Sequence, residues 1–359
     1  MQKVIPHNRP TIGEEEICAA VKVMESCHLS QGTEVALFEN EFCEYLGLNH
    51  GHAVAVSSGS AALYMAIRAL DMDKNQRNTN VAIPAYSCSA LRNAVLLAGK
   101  KPLYADVKDD SPNIDLTSDV IKEASITIAC HIYGMPERID NHNVIEDCAQ
   151  AIGATINGKL VGTQTEIGIF SFYATKPITS GGEGGMVVSK NKGYIDFIKD
   201  IRDFDMKNDN VVRFNMKMTD LQASVGRIQL KRLPEFEKKR HYLADRYEKK
   251  GIPLWRKEGS IEYRGIIRSR APERLMEYLK QNGVQAILPI TESELLCVPL
   301  TVPRAYALTH SLVSIPLYPS LTDEEQDTII GLLNKYVDVG GNYDNVSTPT
   351  GLFTMAGLF

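Results

Sequence analysis

Residues 53–70, AVAVSSGSAALYMAIRAL, contain a complete strand, turn and helix, and the rest of the chain reads outward from them. Ala53 to Val56 is a short apolar run of the kind that fills a strand buried on both faces. Ser57, Ser58, Gly59 and Ser60 interrupt it with turn-forming residues. From Ala61 to Leu70 the apolar side chains recur at a helical period. The same alternation returns downstream. Val81 to Ile83, Ile126 to Cys130, Asn143 to Ile145 and Ile167 to Phe170 read as further buried strands, with Ser89 to Leu97 as another helix between them. From about residue 14 to residue 230, short apolar runs alternate with longer helical patterns, which predicts an α/β fold with a mostly parallel central sheet.

Each predicted strand stops at a polar or glycine-bearing cluster: Ser57–Ser60, then Tyr86-Ser87-Cys88, His131, Glu146-Asp147, and Ser171 on towards Lys176. Open parallel sheets bind ligands at the carboxyl ends of their strands, so five clusters converge on one crevice. Ser57–Ser60 sits where a helix N-terminus can receive a phosphate. The same residues also read as an N-cap and a turn. Glu146-Asp147 ends a strand, where a buried acid needs solvent or a positive partner such as a pyridinium N–H. One of the two acids capping the next turn is the competing reading.

The segment SFYATKPITSGGEGGMVVS, residues 171–189, adds a lysine a few residues after a strand and just ahead of a glycine run. Gly181, Gly182, Gly184 and Gly185 let the backbone turn sharply beside a bulky ligand. Strand, lysine and glycines together make Lys176 a catalytic candidate, against the alternative of a solvated side chain. His131, after a buried strand, reads equally as a hydrogen-bonded structural residue. Met206, Met216 and Met218 read as packing.

Composition sets the surroundings of that chemistry. The 359 residues are 44% hydrophobic and 23% charged, as in an ordinary soluble globular protein. The length predicts one large unit and one smaller one. A charged helical stretch from Pro234 to Lys250 opens the smaller, which gives a large unit, residues 1–232 with an N-terminal arm, and a smaller α/β unit, residues 233–339. Residues 340–359 form a tail rich in Gly, Ser, Thr and Pro. A net charge of -5 gives no electropositive footprint for nucleic acid. Seven scattered cysteines show no CxxC pair, and MQKVIPHNRPTIGEEEI shows no apolar run behind a basic segment. A cytoplasmic protein with reduced thiols, without a membrane span, is the expectation.

Ordered motifs then carry a resemblance: LSQG at 29–32, FEN at 38–40, SSGSAAL, PAYSCSA, HIYGMP, EDCAQAIGA, FSFYATK, GEGGMVV, MTDLQASVGRIQL at 218–230 and SIPLYPSLTDEE at 314–325. With them the chain resembles the nucleotide-sugar aminotransferases of the DegT type (DegT/DnrJ/StrS), a branch of the fold-type I pyridoxal-phosphate enzymes. The resemblance implies pyridoxal 5'-phosphate as cofactor, with Lys176 carrying it as a Schiff base and Asp147 partnering its pyridine nitrogen. It places Gln150 near the ring oxygen and Gly59, Ser60 and Ser171 on the phosphate. Cys88 falls where the family has an aromatic residue stacked on the ring. Asn215 matches an asparagine that reaches a neighbouring subunit's cofactor, which implies a homodimer with shared sites. No metal site is expected.

The implied reaction moves an amino group from glutamate to a keto-sugar, nucleotide-linked, for polysaccharide or antibiotic sugars. Arg213 and Lys217 are candidates for a diphosphate, with a solvated surface as the alternative. The family's Asn-Tyr-Arg reads Asn215-Met216-Lys217 here, and the region after Ile287 is shorter than typical. Both departures bear on the acceptor. Transfer to another ketone, a sugar dehydratase of the kind that lacks the lysine, and a non-catalytic regulatory protein on the same scaffold are the alternative readings.

Overall fold

The computed structural model describes residues 4–72 and 79–338; the tail at 340–359 lies outside the described residues. Helices α1 (Glu14–Ser26) and α2 (Thr33–Tyr45) precede strand β1 (Ala53–Val56) and helix α3 (Gly59–Met72). Then come β2 (Asn80–Pro84), α4 (Ala90–Leu97), β3 (Lys101–Ala105), α5 (Asp119–Glu123), β4 (Ile126–Cys130) and β5 (Val144–Asp147). A two-residue hairpin, β6 (Thr155–Ile156) and β7 (Lys159–Leu160), leads to β8 (Ile167–Ser171) and β9 (Gly185–Val188). The chain finishes through α6 (Lys192–Ile201), α7 (Asp220–Lys249), β10 (Gly265–Arg268), α8 (Pro272–Gln281), α9 (Pro303–Thr309), β11 (Leu312–Ile315) and α10 (Asp323–Asp338).

Seven strands form the central sheet in the order β1-β9-β8-β5-β4-β2-β3. All pairings are parallel except the two made by β9, with β1 and β8. Side chains alternate across a strand, and β1 shows the result: Val54 and Val56 face one apolar core while Ala53 and Ala55 face another. Helices α3, α4 and α6 cover the first core, and α2 with the first half of α7 covers the second. With both faces covered, the strand interiors are almost wholly apolar, Thr127 of β4 apart, and the polar residues of the crevice collect at the strand ends.

The helical pattern that the sequence began at Pro234 continues back to Asp220, so α7 is one helix of 30 residues. Thr219 caps it, its hydroxyl accepting from the backbone N–H of Gln222, and Gln222 returns the bond. Pro234 is tolerated inside because it lies on the exposed side of the helix. Position 232 therefore falls within α7. The helix's apolar side chains change cores between Phe236 and Leu243: Leu230, Leu233 and Phe236 pack under the large sheet. Leu243, Ala244 and Tyr247 pack with β10, β11, α8 and α10. Ile5 of the N-terminal arm joins that second cluster.

Candidate active site

The carboxyl ends of β1, β2, β4, β5 and β8 lie along one edge of the sheet, and antiparallel β9 starts from that edge. Gly185 pairs with Val56 on one side and Ser171 on the other. A Cβ on Gly185 would come within 2.4 Å of the Ser58 carbonyl oxygen, so only glycine lets β9 begin beneath the serine loop. Gly59 opens α3, and a Cβ there would stand 2.7 Å from the Ser171 Cβ. The bare backbone thus brings the first turn of α3, with Ser60, against the end of β8. The first N–H groups of a helix have no intrahelical partner and favour an anion. Ser58 satisfies one of them, its hydroxyl accepting from Ala61.

Glu146 and Asp147 separate by strand alternation. Glu146 points back into the molecule, bonded to His131 Nε2 at 3.0 Å and to both nitrogens of Gln164. Burial works to raise its carboxyl, but these bonds outweigh it and hold Glu146 below the usual range. His131 is consumed there: its Nδ1 accepts from the backbone of Glu137. Glu146, His131 and Cys148 offer three buried donor atoms within 4.8 Å of one another. The first two are saturated by these hydrogen bonds, so the cluster is a structural lock.

Asp147 faces the crevice. Its Oδ1 accepts from Ala149 N–H at 2.9 Å, which is the turn cap the sequence allowed, and its Oδ2 accepts from the Cys130 thiol at 3.4 Å. Burial pushes this carboxyl up, against the pulls of Ala149 and of the Lys176 ammonium. A buried acid with no ion-pair partner among the described residues fits a cationic ring nitrogen.

Lys176 is half-buried in the loop after β8, which closes on itself through bonds from Phe172 to Gly184 and Ala174 to Gly182. Left-handed backbone at Gly181 and Gly182, φ 80° and 128°, makes that closure. Asn8 of the arm reaches the same loop, donating to the Thr175 carbonyl at 3.0 Å. Gln150, three residues past Asp147, is half-buried, its Oε1 accepting from Tyr133 N–H at 2.7 Å. Cys88 is exposed after β2.

Asn215 is exposed, on a segment joined to the end of β1 by the bond from Ser57 N–H to the Met216 carbonyl. Arg213 pairs with Asp200 and Asp209, and Lys217 with Asp203 and Asp205. Acids of the same segment therefore neutralise both diphosphate candidates.

Tyr263 and Arg264, which the sequence did not single out, stand beside Lys176. Lys176 Nζ is 5.8 Å from the Tyr263 ring centroid. Burial works upward on the Tyr263 hydroxyl, but Arg264, Lys176, a bond with Thr175 and Arg240 bring it down to about 8. Tyr86 and Tyr133 join hydroxyls at 2.6 Å nearby. No spacing announces these residues, because Tyr263 and Arg264 belong to a short segment ahead of β10 that only the tertiary fold carries to the crevice.

Strand ends, a buried acid, a helix N-terminus and a loop lysine thus come together at one edge of an α/β sheet, as in an enzyme's active site. Residues 10–334 match the DegT/DnrJ/EryC1/StrS aminotransferase family, and the chain belongs to it. Its chemistry is amino-group transfer. It is 31% identical over 349 residues to the GDP-perosamine synthase of Vibrio cholerae, covering 86% of this chain and 92% of that one. Its fold matches PseC of Helicobacter pylori, an aminotransferase involved in the biosynthesis of pseudoaminic acid, with a TM-score of 0.83 at 23% identity over 94% of this chain and all of that one. It also matches the PLP-form of Spr1654, a putative sugar aminotransferase of Streptococcus pneumoniae, with a TM-score of 0.83 at 21% identity over 94% and 99% of the two chains. Among the described residues, no helix is long and apolar enough to cross a membrane.

Proposed function

We propose that this chain is a pyridoxal 5'-phosphate enzyme that moves an amino group from glutamate to the ketone of a nucleotide-linked sugar. The observation that carries the reading is the pairing of a half-buried Lys176 with a buried, cation-deficient Asp147 at one end of one sheet. When bound, the cofactor supplies a conjugated ring that accepts the electron pair left when a proton leaves the carbon next to nitrogen. Asp147 would keep a proton on the ring nitrogen, which its burial favours only in the presence of that positive charge. Ser171 and the first turn of α3 with Gly59 and Ser60 would hold the phosphate. Lys176 would hold the cofactor covalently and, once displaced by the incoming amine, take and return the proton at the substrate carbon.

The family and the named relative support the nucleotide sugar as acceptor. The intact lysine argues against the dehydratase reading, and the complete set of Lys176, Asp147 and Ser171 argues against a regulatory protein. Five large apolar side chains, Phe204, Met206, Val211, Val212 and Phe214, stand exposed on the segment leading to Asn215. Isolated exposed apolar residues are ordinary, but a run of them favours a covered surface. We read this segment as the face of a homodimer that brings Asn215 to the neighbouring site.

Borohydride reduction of the purified protein followed by peptide mapping tests the reading. The expected result is a cofactor label on Lys176 alone, lost with all turnover in Lys176→Ala. A label on another lysine, or none, overturns it.

A further inference from the structure

Two cations flank the buried ring of Tyr263. Lys176 Nζ lies 5.8 Å from its centroid and Arg264 Cζ 5.1 Å, so the two are separated by no more than the sum of those distances. Tyr86 and Tyr133, with their hydroxyls in contact, both lie within electrostatic range of the same guanidinium. The arm passes beside it: His7 Nε2 is 3.4 Å from Arg264 Nη1, and the next residue, Asn8, is bonded to the loop of Lys176. Arg264 is thus a half-buried wall of the crevice.

Beside Lys176 it stands without an acid. Arg213 and Lys217 are closed by aspartates, Arg9 donates to Glu325, and Arg240 donates to three backbone carbonyls. Arg264 has no carboxylate within ion-pair distance among the described residues. His7 brings no negative charge. Burial and Arg264 itself hold its pKa at about 3, so it stays neutral. A guanidinium partly withdrawn from water needs a partner that completes its fork of donors.

Resting on the function proposed above, we propose that Arg264 recognises the amino donor by binding one of its carboxylates. In glutamate the amine nitrogen is two bonds from one carboxyl carbon and four from the other, each bond about 1.5 Å. Both reaches lie under the upper limit that the two ring distances set on the separation of the cations. A carboxylate matches a single guanidinium in charge and in planar, two-pronged geometry. A nucleotide diphosphate would bring more negative charge than this one uncompensated cation answers.

The test uses the cofactor-loaded protein and two probes, glutamate and GDP. Glutamate binding is read from the spectral change of a single half-reaction, and GDP binding by calorimetry. In Arg264→Gln the dissociation constant for glutamate is expected to rise roughly 10- to 100-fold, as for loss of a charge-assisted hydrogen-bond pair. GDP affinity and the Lys176 label should stay unchanged. Arg264→Lys, which keeps the charge without the fork, should fall between. Unchanged glutamate affinity, weaker GDP binding in place of it, or equal loss of both overturns the assignment. Absence of a Lys176 label in the wild type defeats the parent reading instead, and the assignment with it.

Discussion

Tyr263 draws its acidity from its neighbours. Its hydroxyl is buried, which favours the neutral form, yet Arg264, Lys176 and Arg240 favour the phenolate strongly enough to bring it to about 8. The ordinary value is 10, so the folded state holds this proton less tightly than the unfolded chain. The resulting stabilisation is absent at neutral pH, grows as pH rises from about 8 and is complete above 10. Tyrosinate absorbance should show a step near 8 that Tyr263→Phe removes and that Arg264→Gln or Lys176→Ala moves upward. A step at the ordinary tyrosine value in the wild type would contradict this. Lys176, Asp147 and Ser171 were legible in the sequence because each is tied to the end of a recognisable strand. Tyr263 was not, since its importance comes from cations distant in sequence.

Element by element, the buried strands β1, β2, β4, β5 and β8 stood out as apolar runs between turn formers. Strand β3 did not: KPLYA begins with an exposed lysine and a proline at the sheet edge, so it lacks the buried-strand signature. The antiparallel course of β9 was also hidden, because glycines mark a sharp turn without fixing the direction that follows. The segment from Phe204 to Phe214 belongs to this scale. If a second copy covers it, Phe204→Asp with Val212→Asp should convert a dimer into a monomer by light scattering, with activity lost. A dimer that survives both changes, or a fully active wild-type monomer, would exclude this face as the contact.

Across the whole molecule, two cores share one helix. Residues 220–249 rise about 45 Å at 1.5 Å per residue, from the serine and glycine loops at one end to the β10–β11 cluster at the other. Because no loop interrupts it, the angular setting of the small sheet is counted in residues of α7. A single residue inserted near Lys238 turns everything beyond it by about 100°, whereas seven return it to within about 20° of its original bearing. Because each inserted residue also adds about 1.5 Å along the axis, even seven leave the small sheet about 10 Å out of place, and every insertion should lower cofactor retention; a series that retains the cofactor unchanged would count against it. The helix acts as a phase-keeper for Arg264, whose bearing on Lys176 depends on a count of residues in a helix to which neither belongs.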